Sequence, residues 1–165
     1  MPEILQTFRK ICGFSGGANI KDSEAFPLMA LYYFDTSIWL DLFENRDEPN
    51  LPKGRWANEL VAKIISEGGR IVYSNLTIKE LRFNGYNEYD LYGRFQEIRY
   101  LLIYVRVSTE QHGRAKDLSK KRELPIGDAI HALVARGAGA VLVALDHDFK
   151  KLLDIIEYKK PQDLL

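Results

Sequence analysis

Pro125-Ile126-Gly127-Asp128-Ala129-Ile130-His131-Ala132-Leu133-Val134-Ala135-Arg136-Gly137, followed after one residue by Gly139-Ala140-Val141-Leu142-Val143-Ala144-Leu145-Asp146, reads as a helix running into a buried strand. Ile126, Ala129, Ile130, Leu133 and Val134 recur at helical spacing. Pro125 stands at the start and Gly137 at the end, the asymmetry expected of helix termini. Ala140 to Leu145 is continuously apolar, as a parallel strand covered on both faces must be, and Asp146 stands at its carboxyl end.

The same alternation extends upstream. Ala30-Leu31-Tyr32-Tyr33-Phe34 reads as a first buried strand, ended by Asp35, and helical spacing begins at Thr36 with Ile38, Trp39, Leu42 and Phe43. Pro49 and Pro52 mark a loop before a helix expected over residues 56–66, which Gly68-Gly69 stops. Arg70-Ile71-Val72-Tyr73 is the next strand. Thr77 reads as an N-cap with Glu80 three residues later, the spacing of a capping box. A helix over 88–98, a strand over 102–107 and a helix from Ser108 or Thr109 to Arg122, broken at Gly113, complete the pattern. Strands alternating with helices predict a three-layer α/β/α fold with a central, mostly parallel sheet flanked by helices. One domain is expected over residues 30–165. Residues 1–29 read as an N-terminal extension, with a short helix over Pro2–Phe14 and a Gly- and Ser-containing linker over 13–19.

Four acids occupy equivalent places in this pattern: Asp35, Glu80, Asp128 and Asp146 each stand at a strand end or a helix start. Each has an ordinary explanation alone. Asp35 would cap a helix, Glu80 would complete the Thr77 capping box, Asp128 would complement a helix dipole, and Asp146 would serve a turn. Their conjunction asks for more, because an open α/β sheet delivers its carboxyl-end residues to one edge. Carboxylates gathered there need a cation, and Mg2+ or Mn2+ with an all-oxygen ligand set serves phosphodiester hydrolysis. Asp148 competes with Asp146 for the fourth place, and the strand-end position favours Asp146. His131, three residues after Asp128, reads as a core histidine before a ligand.

These residues resemble the PIN domain family, whose members are mostly metal-dependent ribonucleases and include many toxins of toxin–antitoxin pairs. Phe34-Asp35-Thr36-Ser37-Ile38-Trp39 is similar to the family's opening strand and first acid, and Ser74-Asn75-Leu76-Thr77-Ile78-Lys79-Glu80-Leu81 to its second-acid helix. The stretch from Gly127 to Phe149 is similar to its carboxy-terminal signature. The resemblance implies a ribonuclease with Asp35, Glu80, Asp128 and Asp146 as metal-binding and catalytic residues, a 5′-phosphate product, an RNA substrate, a protein antitoxin and a homodimer. One departure stands out: Ala144 occupies the place where the family often has a Thr or Ser hydroxyl. The alternative is a non-catalytic member of the same fold that binds RNA or protein without cutting.

Composition narrows the remaining choices. Lys plus Arg and Asp plus Glu both number 23, so polyanion binding must rest on local patches. Arg114 to Arg122 carries five basic residues against one acid, and Tyr86, Tyr89 and Tyr92 share a helix face where stacking on bases competes with packing. No apolar run approaches membrane-spanning length and no signal peptide is evident, so a cytoplasmic protein is expected. A single cysteine, Cys12, agrees with a reducing compartment. The motifs of nucleotide-triphosphate and dinucleotide sites are absent. Ser37, two residues after Asp35, excludes an aspartyl-phosphate phosphatase, which needs a second Asp there.

Overall fold

In the computed structural model, which describes residues 29–165, five parallel strands form one sheet in the order β3-β2-β1-β4-β5. The strands are β1 (Leu31–Phe34), β2 (Arg70–Ser74), β3 (Leu102–Val105), β4 (Val141–Val143) and β5 (Tyr158–Lys159). The helices are α1 (Thr36–Glu44), α2 (Lys53–Ser66), α3 (Asn75–Phe83), α4 (Glu88–Glu97), α5 (Thr109–Arg122) and α6 (Ile126–Gly137). The expected extension lies outside the described residues except for Met29. Among the described residues, no helix is long and apolar enough to cross a membrane.

Successive residues of a strand point to opposite faces, and the two faces here feed two cores. Tyr33, Val72 and Leu142 join Ala129, Ile130, Leu133 and other residues of α6 on one side. Phe34, Ile71 and Val143 join Trp39, Leu60, Ile64 and Leu81 on the other. The three-layer α/β/α expectation therefore holds, and the sheet is parallel throughout.

The strand order reverses at β1. From there the chain moves outward through β2 to β3, then returns to place β4 on the opposite side of β1. A crevice at the carboxyl edge beside such a reversal is the usual ligand position in open α/β sheets. The ladder continues one residue beyond β1, where the Asp35 N–H donates to the Val143 carbonyl at 3.0 Å. Asp35 is thus tied to the strand that precedes Asp146.

Several boundaries differ from the sequence reading. Ser74, not Thr77, caps α3: its hydroxyl accepts from the Thr77 N–H, while the Thr77 hydroxyl accepts from the Ser74 N–H. Thr77 thus fills the third helical position, and Glu80 is freed from capping. Helix α2 begins at Lys53, because Pro52 supplies its entry and does not merely end a loop. Helix α5 continues through Gly113 without a break. Strands β3 and β4 are shorter than their apolar runs, with Leu145 and Asp146 already turning into a 3-10 segment, His147–Leu152.

Ser74 is fully buried and also hydrogen-bonds the Tyr33 hydroxyl at 2.9 Å. Ser74→Ala removes both the cap and this partner, so a loss of about 1–2 kcal/mol is expected in urea unfolding, with little change in the denaturant slope.

Candidate active site

The carboxyl edge of the sheet gathers the acids from four separate elements. Asp35 follows β1 and caps α1, its Oδ2 accepting from the Ser37 hydroxyl at 2.6 Å. Glu80 projects from the second turn of α3. Asp128 sits in the first turn of α6. Asp146 caps the 3-10 segment, its Oδ1 accepting from the Asp148 N–H at 2.9 Å.

These acids and Asp148 fall into two groups. Carboxylate oxygens of Asp128, Asp146 and Asp148 all lie within 4.8 Å of one another. Glu80 and Asp35 instead converge on His131, whose Nε2 is 2.8 Å from Glu80 Oε2 and 3.6 Å from Asp35 Oδ1. The Thr36 hydroxyl donates to the same Glu80 oxygen. Glu80 Oε1 turns the other way, over Gly127, where an added Cβ would stand 2.8 Å from it. A side chain at residue 127 would push that carboxylate aside.

His131 is only 1% exposed, and each ring nitrogen has a partner. The Tyr33 hydroxyl lies 2.8 Å from Nδ1 and itself meets Ser74, so a buried polar chain runs from Ser74 through Tyr33 and His131 to Glu80. Burial opposes a charge on the imidazole, but Tyr33, Glu80 and Asp35 outweigh it and raise the His131 pKa to about 10. Burial likewise opposes ionisation of Glu80, and the hydrogen bonds from His131 and Thr36 reverse that, holding Glu80 below the usual carboxylate range. The two directions agree: these groups form an ion pair.

Asp128 has no such support. Burial first, then the charges of Asp35 and Asp146, push its pKa to about 7. Its Oδ2 is buried without a hydrogen-bond partner. An orphaned oxygen among acidic neighbours fits a hard divalent cation with oxygen ligands, Mg2+ or Mn2+. Asp146, favoured over Asp148 in the sequence, shares this place with it. The structure also adds Thr36 and Tyr33, which composition disguised as a helix-start residue and a strand residue. His131 is buried, as a core reading expects, yet it contacts the acids; its spacing of three from Asp128 was the available signal.

Beside Glu80 a cleft of about 760 Å³ opens between α1, α3 and the amino-terminal ends of α5 and α6. The PIN domain family model matches residues 32–153. The chain belongs to the PIN domain family. No curated protein matches it. Among solved structures, a toxin–antitoxin complex from Klebsiella pneumoniae is similar at 22% identity, covering 72% of this chain and 89% of that one with a TM-score of 0.53. VapBC2 from Rickettsia felis, bound to a DNA fragment from its promoter, is similar at 13% identity, covering 79% and 98% with a TM-score of 0.57. At these identities the likeness is one of fold. In this PIN domain, Asp35, Glu80, Asp128 and Asp146 stand at the edge where the strand order reverses, and Ala144 is fully buried.

The raised Asp128 pKa has a consequence for stability. Between its ordinary unfolded value and about 7, the folded protein holds a proton that the unfolded chain has released, so this group's contribution falls as pH rises through that window. Asp128→Asn removes the fall. It is expected to stabilise the metal-free protein by roughly 1–2 kcal/mol near pH ~8, after allowing for solvent screening of a partly exposed group, and to leave it little changed near pH ~4. Urea titrations in EDTA at both pH values measure this; a parallel pH dependence in the two proteins would contradict it.

Proposed function

We propose that this PIN domain is a Mg2+- or Mn2+-dependent ribonuclease that hydrolyses RNA phosphodiester bonds, acting as a toxin-type endoribonuclease held in check by a protein antitoxin. The observation that carries this reading is the buried, unpartnered Asp128 Oδ2 beside Asp146 and Asp148. A protein that only bound other macromolecules would have no energetic reason to retain these mutually repelling acids. Family membership supports nuclease chemistry. The likeness to a toxin–antitoxin complex from Klebsiella pneumoniae supports an antitoxin, and this reading carries with it a homodimer and a cytoplasmic location.

Asp128, Asp146 and Asp148 would hold the ion, with Asp35 and Glu80 completing the acidic surround. When bound, the ion supplies Lewis-acid charge neutralisation at the phosphate and lowers the pKa of water. The residues themselves set the geometry. Tyr33 orients the His131 ring, His131 and Thr36 hold Glu80 Oε2, and Oε1 is left facing the region of Gly127. From there it can accept a proton as the water oxygen bonds to phosphorus. The P–O3′ bond breaks, the 3′ oxygen takes a proton from solvent, and a 5′-phosphate remains on the other fragment. Of the basic run, Arg122 is committed to Asp154 and the Lys151 carbonyl. Arg114, Lys116, Lys120 and Lys121 are exposed on α5 and available to phosphates.

Purified protein is expected to cut a labelled, partly single-stranded RNA with Mn2+ or Mg2+. EDTA should abolish cutting, and Asp128→Asn should reduce it on the order of 10²-fold or more while remaining folded. Full activity in the variant would remove Asp128 from the mechanism; absence of metal binding by the wild type would remove the acidic site altogether.

A further inference from the structure

Phe83 is 93% exposed at the carboxyl end of α3, the largest exposure among the described large apolar side chains. It lies on the helix face that carries Lys79 and Glu80, and all three line the cleft beside the acids. Glu80 and Phe83 are three residues apart, ~4.5 Å of helical rise, so an aromatic face stands one turn from an acid of the candidate site. Leu40 and Ile126 extend the apolar surface, and Lys79 and His112 add basic groups at its margins. Tyr86, a stacking candidate in the sequence, is otherwise engaged: its ring meets Phe43 and its hydroxyl donates to Glu44.

We propose that Phe83 is a base-stacking platform that seats one unpaired nucleotide of the substrate in this cleft, with Lys79 on the adjoining phosphate. The proposal rests on the ribonuclease reading and adds to it a position for one base.

Three features select this occupant. An aromatic face joined to a basic side chain matches a nucleotide, whose base offers a π surface and whose phosphate carries charge. The platform is continuous with the acids, so a base seated there keeps its own backbone near the reacting edge. A paired base has both faces buried in its stack and cannot meet Phe83, which restricts the cleft to loops, bulges or single strands.

The test uses the full chain and short single-stranded RNAs carrying 2-aminopurine, whose fluorescence falls on stacking. Binding is followed in EDTA, and cleavage separately in Mn2+, for wild type, Phe83→Ala, Phe83→Trp and Lys79→Ala. Expected is quenching in the wild type that Phe83→Ala removes and Phe83→Trp restores. KM should rise about tenfold in Phe83→Ala with kcat within about twofold, and the unfolding temperature should not move. Lys79→Ala should weaken binding and flatten its salt dependence. Quenching that depends on Phe83 in a protein that does not cut supports the platform while the ribonuclease reading fails. Unchanged quenching and KM in Phe83→Ala, alongside normal cutting, overturn the platform and assign Phe83 to a protein-facing surface. Absence of any RNA binding by the wild type overturns both.

Discussion

Acidic side chains brought to one edge of a buried sheet repel one another, and the rest of this site answers that repulsion in two different ways. On one side the positive imidazole of His131 sits between Asp35 and Glu80 and neutralises part of the charge from within the protein. On the other, Asp148 is paired with Lys151 at 2.9 Å, whereas Asp128 keeps a buried oxygen without a hydrogen-bond partner and holds its proton to higher pH. The cluster is therefore neutralised at His131 and at Lys151 and left uncompensated at Asp128. That asymmetry singles out Asp128 as the carboxylate that a bound cation would relieve.

The buried polar chain explains why the histidine side can be rigid. Ser74 belongs to β2, Tyr33 to β1, His131 to α6 and Glu80 to α3, so one series of hydrogen bonds spans both the sheet and the helices on its two faces. Each polar atom along it has a partner, which is the condition under which a buried network rigidifies its surroundings. Ser74 has a double duty, since its hydroxyl also caps the helix that carries Glu80. Capping, strand position and acid placement are in this way linked through one side chain.

Much of this is legible in the sequence. The apolar runs around Tyr33, Val72 and Leu142 announce buried parallel strands, and Asp35 and Asp146 fall at strand ends because turns follow those runs directly. What escaped was polar and long-range. Tyr33 reads as one more strand residue, since its partner His131 is 98 positions away. Thr77 and Ser74 offer equally good capping chemistry, and only the backbone geometry assigns the cap to Ser74. The strand-end position favours Asp146, yet Asp148 joins it, because both side chains leave the same 3-10 turn and reach the same neighbour. Phe83 gave no signal at all: an aromatic residue at helical spacing is ordinarily buried, and its exposure is a property of the folded surface.

The central position of β1 also orders the events of synthesis. The first described strand has β2 on one side and β4 on the other, and the hydrogen bond from the Asp35 N–H ends on Val143. A ribosome delivers Asp35 early, but the strand and acids that surround it arrive only with the last third of the chain. Pairing across such separations is slow because loop closure precedes any reward from contact. The acidic edge is therefore complete only once β4 inserts next to β1, and whatever chemistry it performs waits on that last pairing.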